Sequence, residues 1–260
     1  MLDITSNKAT RLFLILGGIF ITNALVAEFI GVKIFQLEDT LGIERASIKV
    51  LGFDLSFQLT AGVLLWPVVF ILTDIINEYY GKKGVRLLSF LTAGLIAYSF
   101  AMISLGIGTT PADWWIGSAQ AKGVADYDLA YRTVFGQGLW IIIGSLVAFL
   151  VGQILDVFVF HKLKQLTGEK YIWLRSTGST LVSQLVDSFV VLFIAFYVGA
   201  GWPMAQVLAV CTVNYIYKVV MAIALTPAIY LMHGIIERFL GHDVARQMKQ
   251  EAMERSKGFV

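Results

Sequence analysis

The sequence predicts an all-α protein that crosses a membrane several times. Of the 260 residues, 57% are hydrophobic and only 15% are charged, whereas soluble domains carry about 25% charged residues. The hydrophobic residues form long runs, each matching the roughly 20 residues that a helix needs to cross a bilayer. No basic stripe or patch accompanies these runs, so we do not expect the protein to bind nucleic acid.

Six runs are long and apolar enough to be membrane-spanning helices, and we call them spans one to six. They cover residues 12–35, 56–80, 85–107, 134–160, 176–199 and 203–232. A polar N-terminal stretch precedes span one, and that span is too long to be the apolar core of a signal peptide. We therefore expect span one to be the first helix of the mature protein.

The distribution of Lys and Arg predicts which side of the bilayer faces the cytoplasm. Fourteen of the twenty lie before span one, between spans two and three or in the first residues of span three, between spans four and five, or after span six. The positive-inside rule therefore places both termini in the cytoplasm, in agreement with an even number of spans. On the opposite side, residues 36–54 alternate apolar and polar around an LGFD turn, which predicts a short hairpin-like first outer loop.

Polar side chains recur inside the spans, where they are costly and usually face a cavity or a partner. Ser179, Ser183 and Asp187 follow one another at intervals of four residues in span five, and Asn214 precedes Lys218 by four in span six. Each set therefore forms a polar stripe on one helix face. At about 1.5 Å per residue, Asp187, Asn214 and Lys218 lie near the middle of their spans.

Carboxylates within the spans outnumber bases. One mid-span base, Lys218, accompanies five acids, namely Glu28, Asp74, Glu78, Asp156 and Asp187. A salt bridge from Lys218 to Asp187 or Asp156 would use only one of them. The remaining acids need a proton, or a ligand that is cationic or rich in hydrogen-bond donors. Both outcomes suit a transporter.

Asp74 and Glu78 share one helix face at the inner end of span two, in the segment TDIINEYYG. Glu78 also lies four residues before Lys82, a spacing that allows an ion pair along one helix. We expect Glu78 to hold the helix end in this way. Asp74 has two interpretations, a similar structural role or a place at the floor of a cavity.

Motifs for ATP use, catalysis and metal binding are absent from the sequence. There is no GxxxxGK[ST], HExxH, CxxC or GxSxG segment, and the one cysteine lies in an apolar run. The chain therefore has no phosphate-binding loop with which to use ATP itself. We expect no enzymatic activity, no cofactor and no metal site.

Four segments together resemble the queuosine precursor transporters, also called the vitamin uptake transporter family. They are TDIINEYYG, GQILDVFVF, RSTGSTLVSQLVDSFVVLFIAF and NYIYKVV, and the resemblance covers most of residues 20–230. It implies a six-helix importer in the bacterial inner membrane for 7-deazaguanines, the precursors preQ0 and preQ1 that are salvaged for tRNA modification. Position 214 is Asn here, where some relatives carry an acid. The substrate-binding residues that the resemblance implies are Asn23, Asp74, Gln153, Asp156, Ser179, Gln184, Asp187 and Lys218, with Asn214 beside them.

The chemistry of a 7-deazaguanine agrees with this set of residues. Its adjacent N–H and NH2 donors suit a carboxylate, which accepts both in a bidentate pair. We expect Asp187 or Asp156 to bind this donor edge, with Gln184 and Gln153 near the ring carbonyl. Lys218 would pair with the acid that the substrate leaves free. A second acid would favour the cationic aminomethyl group of preQ1, whereas the nitrile of preQ0 would not need it.

We therefore expect a six-helix transport domain at residues 1–240 and a polar cytoplasmic tail at 241–260. The partners are a small 7-deazaguanine and the lipid bilayer, and glycines on the spans would allow a homodimer. Transport is either facilitated diffusion or proton symport. One alternative is the substrate-binding subunit of an ATP-driven uptake system, and an intramembrane enzyme is a second that no motif supports.

Overall fold

Helices account for most of this computed structural model, which describes residues 7–167 and 171–257. The helices are α1 (Lys8–Ile30), α2 (Leu37–Leu41), α3 (Trp66–Ile107), α4 (Asp113–Ile116), α5 (Tyr127–Phe135), α6 (Leu139–Thr167), α7 (Ile172–Leu192), α8 (Met204–Ala224), α9 (Thr226–Leu240) and α10 (His242–Lys257). Short 3₁₀ turns lie at Ala61–Leu64 and Gln120–Lys122, and a π-helical turn at Phe193–Val198 continues α7. In the described part of the chain, five helical segments are long and apolar enough to cross a membrane. The chain is therefore an all-α polytopic membrane protein. Lys170, which contributed to the charge distribution above, lies outside the described residues.

Two small antiparallel sheets lie between α1 and α3. Strand β1 (Ile34–Gln36) pairs with β4 (Gln58–Thr60), and β2 (Ile48–Val50) pairs with β3 (Phe53–Leu55). The turn between β2 and β3 has positive φ at two consecutive residues, 50° at Leu51 and 86° at Gly52, as a two-residue hairpin turn requires. Because Gln58–Thr60 is a strand and Ala61–Leu64 a 3₁₀ turn, the helix of span two begins at Trp66 and not near residue 56.

Helix α3 contains a reversal of the chain at Gly81. This glycine has φ 69° and ψ −172°, a conformation that residues with a Cβ atom rarely adopt. The hydroxyls of Thr73 and Ser89 lie 3.3 and 3.4 Å from the same Gln153 side-chain oxygen, although a straight helix would separate residues 16 apart by about 24 Å. Residues 66–80 (α3a) and 82–107 (α3b) are therefore two helices that fold back on each other.

The run predicted as span six divides into two helices. Helix α8 ends at Ala224, and α9 begins at Thr226 with Pro227 in its first turn. Proline has no backbone N–H, and it disfavours helical geometry in the residue before it, so one continuous helix does not form here. Helix α10 then packs against α3, where Ala252 lies beside Gly81.

Glycines allow close packing between several of the helices. A Cβ atom at Gly17 would lie 3.0 Å from the Leu88 side chain, and one at Gly144 would lie 3.1 Å from the carbonyl oxygen of Val191. Gly94, in contrast, faces open space. Some of these glycines therefore serve helix packing within one chain. A homodimer that uses the remaining, open glycines stays a prediction.

Candidate functional site

A cavity of about 300 Å³ lies between α1, the 3₁₀ turn before α3, α6, α7 and α8. We call it the larger cavity. Its volume is at the lower end of the range for small-molecule sites, about 300–1,000 Å³. Most of its wall is apolar, with Phe149 and Phe196 among the lining residues. The charged and polar side chains on its wall include Glu28, Ser145, Asp187, Ser188, Asn214 and Lys218.

A second pocket, of about 50 Å³, adjoins the larger cavity, and we call it the smaller pocket. It is lined by Asp74 and Gln184 and by the aromatic side chains of Phe70 and Tyr217. Its volume accommodates a few water molecules and not a two-ring base. Trp66 and Lys218 line both spaces, so these two side chains lie at the boundary between them.

Asp187 and Lys218 form an ion pair that connects α7 to α8. The Lys218 Nζ lies 2.6 Å from Asp187 Oδ2, and the side chains of Lys218 and Asp187 are 18% and 19% exposed. Gly152 of α6 lies directly against Asp187, because a Cβ built there would stand 3.6 Å from Asp187 Oδ1. The close packing of α6 on α7 thus positions the carboxylate on the cavity wall. Asn214 donates its amide N–H to the Val210 carbonyl at 3.0 Å.

Asp156 lines neither the larger cavity nor the smaller pocket and lies behind their walls. Ser183 donates its hydroxyl to Asp156 Oδ1 at 3.2 Å, and Asp156 Oδ2 has no hydrogen-bond partner among the described residues. Ser179, which is also buried, donates to the carbonyl of Ser176 at 3.1 Å. The serine stripe of α7 therefore faces α6 at this depth and contributes to helix packing.

Asp74 and Gln184 bring incompletely satisfied polar atoms to the smaller pocket. Ser176 donates a hydrogen bond to Asp74 Oδ2, while Asp74 Oδ1 and both side-chain polar atoms of Gln184 lack partners in the described part of the chain. Both residues are at most 3% exposed. Leaving such an atom unsatisfied costs about 1–3 kcal/mol, so a ligand that supplies both donors and acceptors would be favoured here.

Glu78 has different partners from the one we predicted. It forms ion pairs with Lys164 at 3.1 Å and with Arg175 at 2.8 Å, and all three side chains are at most 2% exposed. The predicted pair with Lys82 is wrong because Gly81 reverses the chain between the two residues, so they no longer share a helix face. Lys164 and Arg175 accordingly stabilise the packing of α6 and α7 on α3, and they are not free loop charges.

Gln153 and Asn23 lie apart from both spaces. The side chain of Gln153 contacts the hydroxyls of Thr73 and Ser89, where α3a, α3b and α6 meet. Asn23 donates to the Ile19 carbonyl of its own helix at 2.8 Å. The structure thus brings Asp74, Gln184, Asp187, Asn214 and Lys218 around two adjoining spaces, with Asp156 and Ser179 behind them.

Two buried polar residues of the larger cavity, Glu28 and Ser188, are among the lining residues that were not predicted as site residues. Glu28 is 8% exposed and lies in the last turn of α1. Ser188 is 1% exposed, and its hydroxyl has no hydrogen-bond partner among the residues described. In the sequence, the excess of acids over bases in the spans could have indicated Glu28 as a site residue. For Ser188, the only indication was its position next to Asp187. No group of three His, Cys, Asp or Glu side chains within the described residues could hold a metal ion.

Comparison with known proteins connects this arrangement to one family. The family model described as "Putative vitamin uptake transporter" matches residues 60–232, which include α3, α6, α7, α8 and the smaller pocket. The chain belongs to the vitamin uptake transporter family. The match begins after α1, so Glu28 and Asn23 lie outside it.

Relatives of this vitamin uptake transporter family member occur in several bacteria. The chain is 30% identical over 198 residues to a "Probable queuosine precursor transporter" of Bacillus subtilis, covering 74% of this chain and 80% of the relative. It is 29% identical over 206 residues to the "Queuosine precursor transporter" of Escherichia coli, covering 78% and 83% of the two chains. A Haemophilus influenzae relative, also named "Probable queuosine precursor transporter", is 30% identical over 192 residues, covering 72% of this chain and 74% of its own. No solved structure matches this chain significantly. None of these descriptions names an ATP-driven subunit, so the comparisons do not support that alternative.

Proposed function

We propose that this protein imports queuosine precursors of the 7-deazaguanine class across the bacterial inner membrane without an ATPase of its own. The names of its relatives support the substrate class. The observation that carries the proposal is the Asp187–Lys218 pair on the wall of a 300 Å³ cavity between membrane helices. The protein binds and moves its substrate and does not alter it chemically.

The Asp187–Lys218 pair is complementary to the edge of a guanine-like ring. That edge presents two N–H donors beside a carbonyl acceptor. The Asp187 carboxylate accepts hydrogen bonds from the two donors, and the Lys218 ammonium donates one to the carbonyl. Asp187 and Lys218 therefore need to separate only slightly for both to bind the base. Of the two acids we considered for this role, Asp187 lines the cavity and Asp156 does not, which favours Asp187.

The smaller pocket provides a second position on the transport path. Lys218 and Trp66 line both spaces, so a base that leaves the larger cavity would pass them to reach Asp74 and Gln184. There, the polar atoms of Asp74 and Gln184 that lack hydrogen-bond partners would bind the donors and acceptors of the base. The smaller pocket must widen to admit the base. We propose that this widening is the inward step.

The topology that suits this path has six membrane crossings with both termini in the cytoplasm. The fold-back at Gly81 makes α3 contribute two crossings, α3a and α3b, to the five apolar helical segments. Lys82, Lys83 and Arg86 lie just after the fold-back, which suits a cytoplasmic position. Residues 1–240 would then be the transport domain and 241–260 a cytoplasmic segment, of which 258–260 lie outside the described residues.

Uptake by the purified chain tests the proposal. Proteoliposomes containing only this protein should take up labelled preQ1, and the mass of the internal ligand should be unchanged. Asp187→Asn should lower preQ1 binding roughly tenfold or more, whereas Asp156→Asn should lower it less. Asp243→Asn, at an exposed position in α10, is the matched control.

An Asp187→Asn protein that folds and binds preQ1 normally would contradict the role of Asp187. A chain that transports only with an added ATPase would contradict the proposed mode of transport.

The same vesicles distinguish the two modes of transport that the sequence leaves open. Facilitated diffusion gives the same initial rate with and without an imposed pH gradient. Proton symport gives an initial rate that rises when the outside is made acidic.

A further inference from the structure

We infer that Glu28 is a specificity-determining residue that binds the positively charged group of the substrate, so that this protein favours an amine-bearing 7-deazaguanine over a neutral one. The inference rests on the proposed function and adds to it a residue and a class of ligand. It assigns a role to an acid that the family match does not include.

The charges on the wall of the larger cavity do not balance. Its lining side chains include two carboxylates, Glu28 and Asp187, and one ammonium, Lys218. Lys218 is already paired with Asp187 at 2.6 Å. No Lys or Arg among the described residues lies within ion-pair distance of Glu28. With both acids ionised, the cavity therefore has one negative charge in excess, located at Glu28.

The position of Glu28 makes an uncompensated negative charge more costly. It is 8% exposed, and removing a carboxylate from water is unfavourable unless a cation or hydrogen-bond donors replace the water. It also lies in the last turn of α1, next to the negative end of the helix dipole. A ligand that brings a positive charge to this point relieves both effects, whereas a neutral ligand offers at most a hydrogen bond and leaves the charge uncompensated.

The surroundings hold Glu28 at the cavity wall. The side-chain amide of Gln137 donates to the Glu28 backbone carbonyl at 3.0 Å. Gly62 packs so closely on α1 that a Cβ there would lie 2.7 Å from the Ala27 carbonyl oxygen. These contacts fix the end of α1 against the segment just before α6 and against the 3₁₀ turn at Ala61–Leu64. Across the same cavity, the buried Ser188 hydroxyl has no partner among the described residues and is available to a ligand.

The substrate chemistry allows both acids of the larger cavity to be used at once. In a 7-aminomethyl-7-deazaguanine, the guanine-like donors are on the six-membered ring, and the ammonium is on a one-carbon arm of the five-membered ring. Asp187 and Glu28, which both line the larger cavity, are suited to bind the first and the second group respectively. A nitrile at the same position carries no charge and gains nothing from Glu28.

Binding of three matched ligands to the full-length protein tests the inference. They are preQ1, preQ0 and the 7-hydroxymethyl analogue, which has the size of preQ1 without its charge. Wild type should bind preQ1 roughly tenfold or more tightly than the other two, as expected for one charge-assisted contact. Glu28→Gln should remove this difference by weakening preQ1 binding while leaving preQ0 binding unchanged. Glu28→Asp, which keeps the charge, should retain part of the preference, and Glu44→Gln, at an exposed position, should retain all of it.

Each other outcome contradicts the inference in a distinct way. Equal weakening of preQ1 and preQ0 in Glu28→Gln would mean that Glu28 only supports the cavity. Unchanged binding of all three ligands together with loss of pH-driven uptake would mean that Glu28 carries a proton. If wild type binds preQ1 and preQ0 equally, the preference does not exist, although the proposed function stands. If wild type binds no 7-deazaguanine, the proposed function itself fails.

Discussion

The guanidinium of Arg175 lies 2.8 Å from the carboxylate of Glu78, and both side chains are only 1% exposed. Lys164 approaches the same carboxylate at 3.1 Å. This cluster joins α3a, α6 and α7. Its two cations compensate the negative charge of an acid that would otherwise be buried without a cationic partner.

Removing the charge of Glu78 should therefore destabilise the protein strongly. Glu78→Gln leaves two buried cations without their carboxylate, and breaking a buried pair in this way costs about 3–5 kcal/mol. We expect a marked decrease in the thermal unfolding midpoint in detergent. Lys82→Gln is the control, because Lys82 does not pair with Glu78, and it should change stability by no more than about 0.5 kcal/mol. Equal effects of the two changes would contradict the assignment of the pair.

The fold-back between α3a and α3b should depend on glycine at position 81. Its positive φ is unfavourable for a residue with a Cβ, and that Cβ would also contact the Ala252 carbonyl oxygen at 3.4 Å. Gly81→Ala should therefore cost about 1–3 kcal/mol and loosen α10 from α3. Limited proteolysis after α9 and the unfolding midpoint measure the two effects. Gly94→Ala, in open space on α3b, should leave both unchanged.

Replacing Lys218 and Asp187 singly and together separates the structural and functional roles of the pair. Lys218→Met leaves the Asp187 carboxylate without its cation, so we expect lower stability and at least about a tenfold loss of preQ1 binding. The double variant Lys218→Met/Asp187→Leu removes both charges and should regain much of the stability. It should not regain binding, because the donors and acceptors for the base are gone. Recovery of binding in the double variant would show that the pair is only structural.

The contact between α9 and α10 should respond to acid. Hydrogen bonding from Lys249 lowers the pKa of Glu237, which also faces His242. A lowered pKa in the folded state means that the contribution to stability is present above the unfolded pKa of about 4.3 and is lost as the pH falls through the folded pKa. Because Glu237 is partly exposed, we expect at most about 1 kcal/mol. The difference in unfolding midpoint between wild type and Glu237→Gln should be present at pH 7 and shrink at acid pH. A difference that grows with acid would contradict this sign.

The sequence predicted the membrane class because long apolar runs can satisfy their backbone hydrogen bonds in a bilayer only as helices or closed barrels. It also offered a salt bridge from Lys218 to Asp187 or Asp156 as one interpretation, since a lone charge in a span is costly. The sequence could not choose between Asp187 and Asp156. That choice depends on how α6 packs on α7, where Gly152 lies against Asp187.

Hydropathy and residue spacing alone thus determined that this chain is helical, lies in a membrane and carries buried polar stripes. Only the tertiary structure decided which stripe faces a cavity. Asp187, Lys218 and Glu28 line one space, while Gln153 and Asp156 are used between helices. The physical reason is that spacing fixes which residues share a helix face, whereas the rotation of each helix against its neighbours is set by packing across the whole bundle. The reversal at Gly81 is the clearest case, because one backbone conformation separates Glu78 from Lys82 and gives it Lys164 and Arg175 instead.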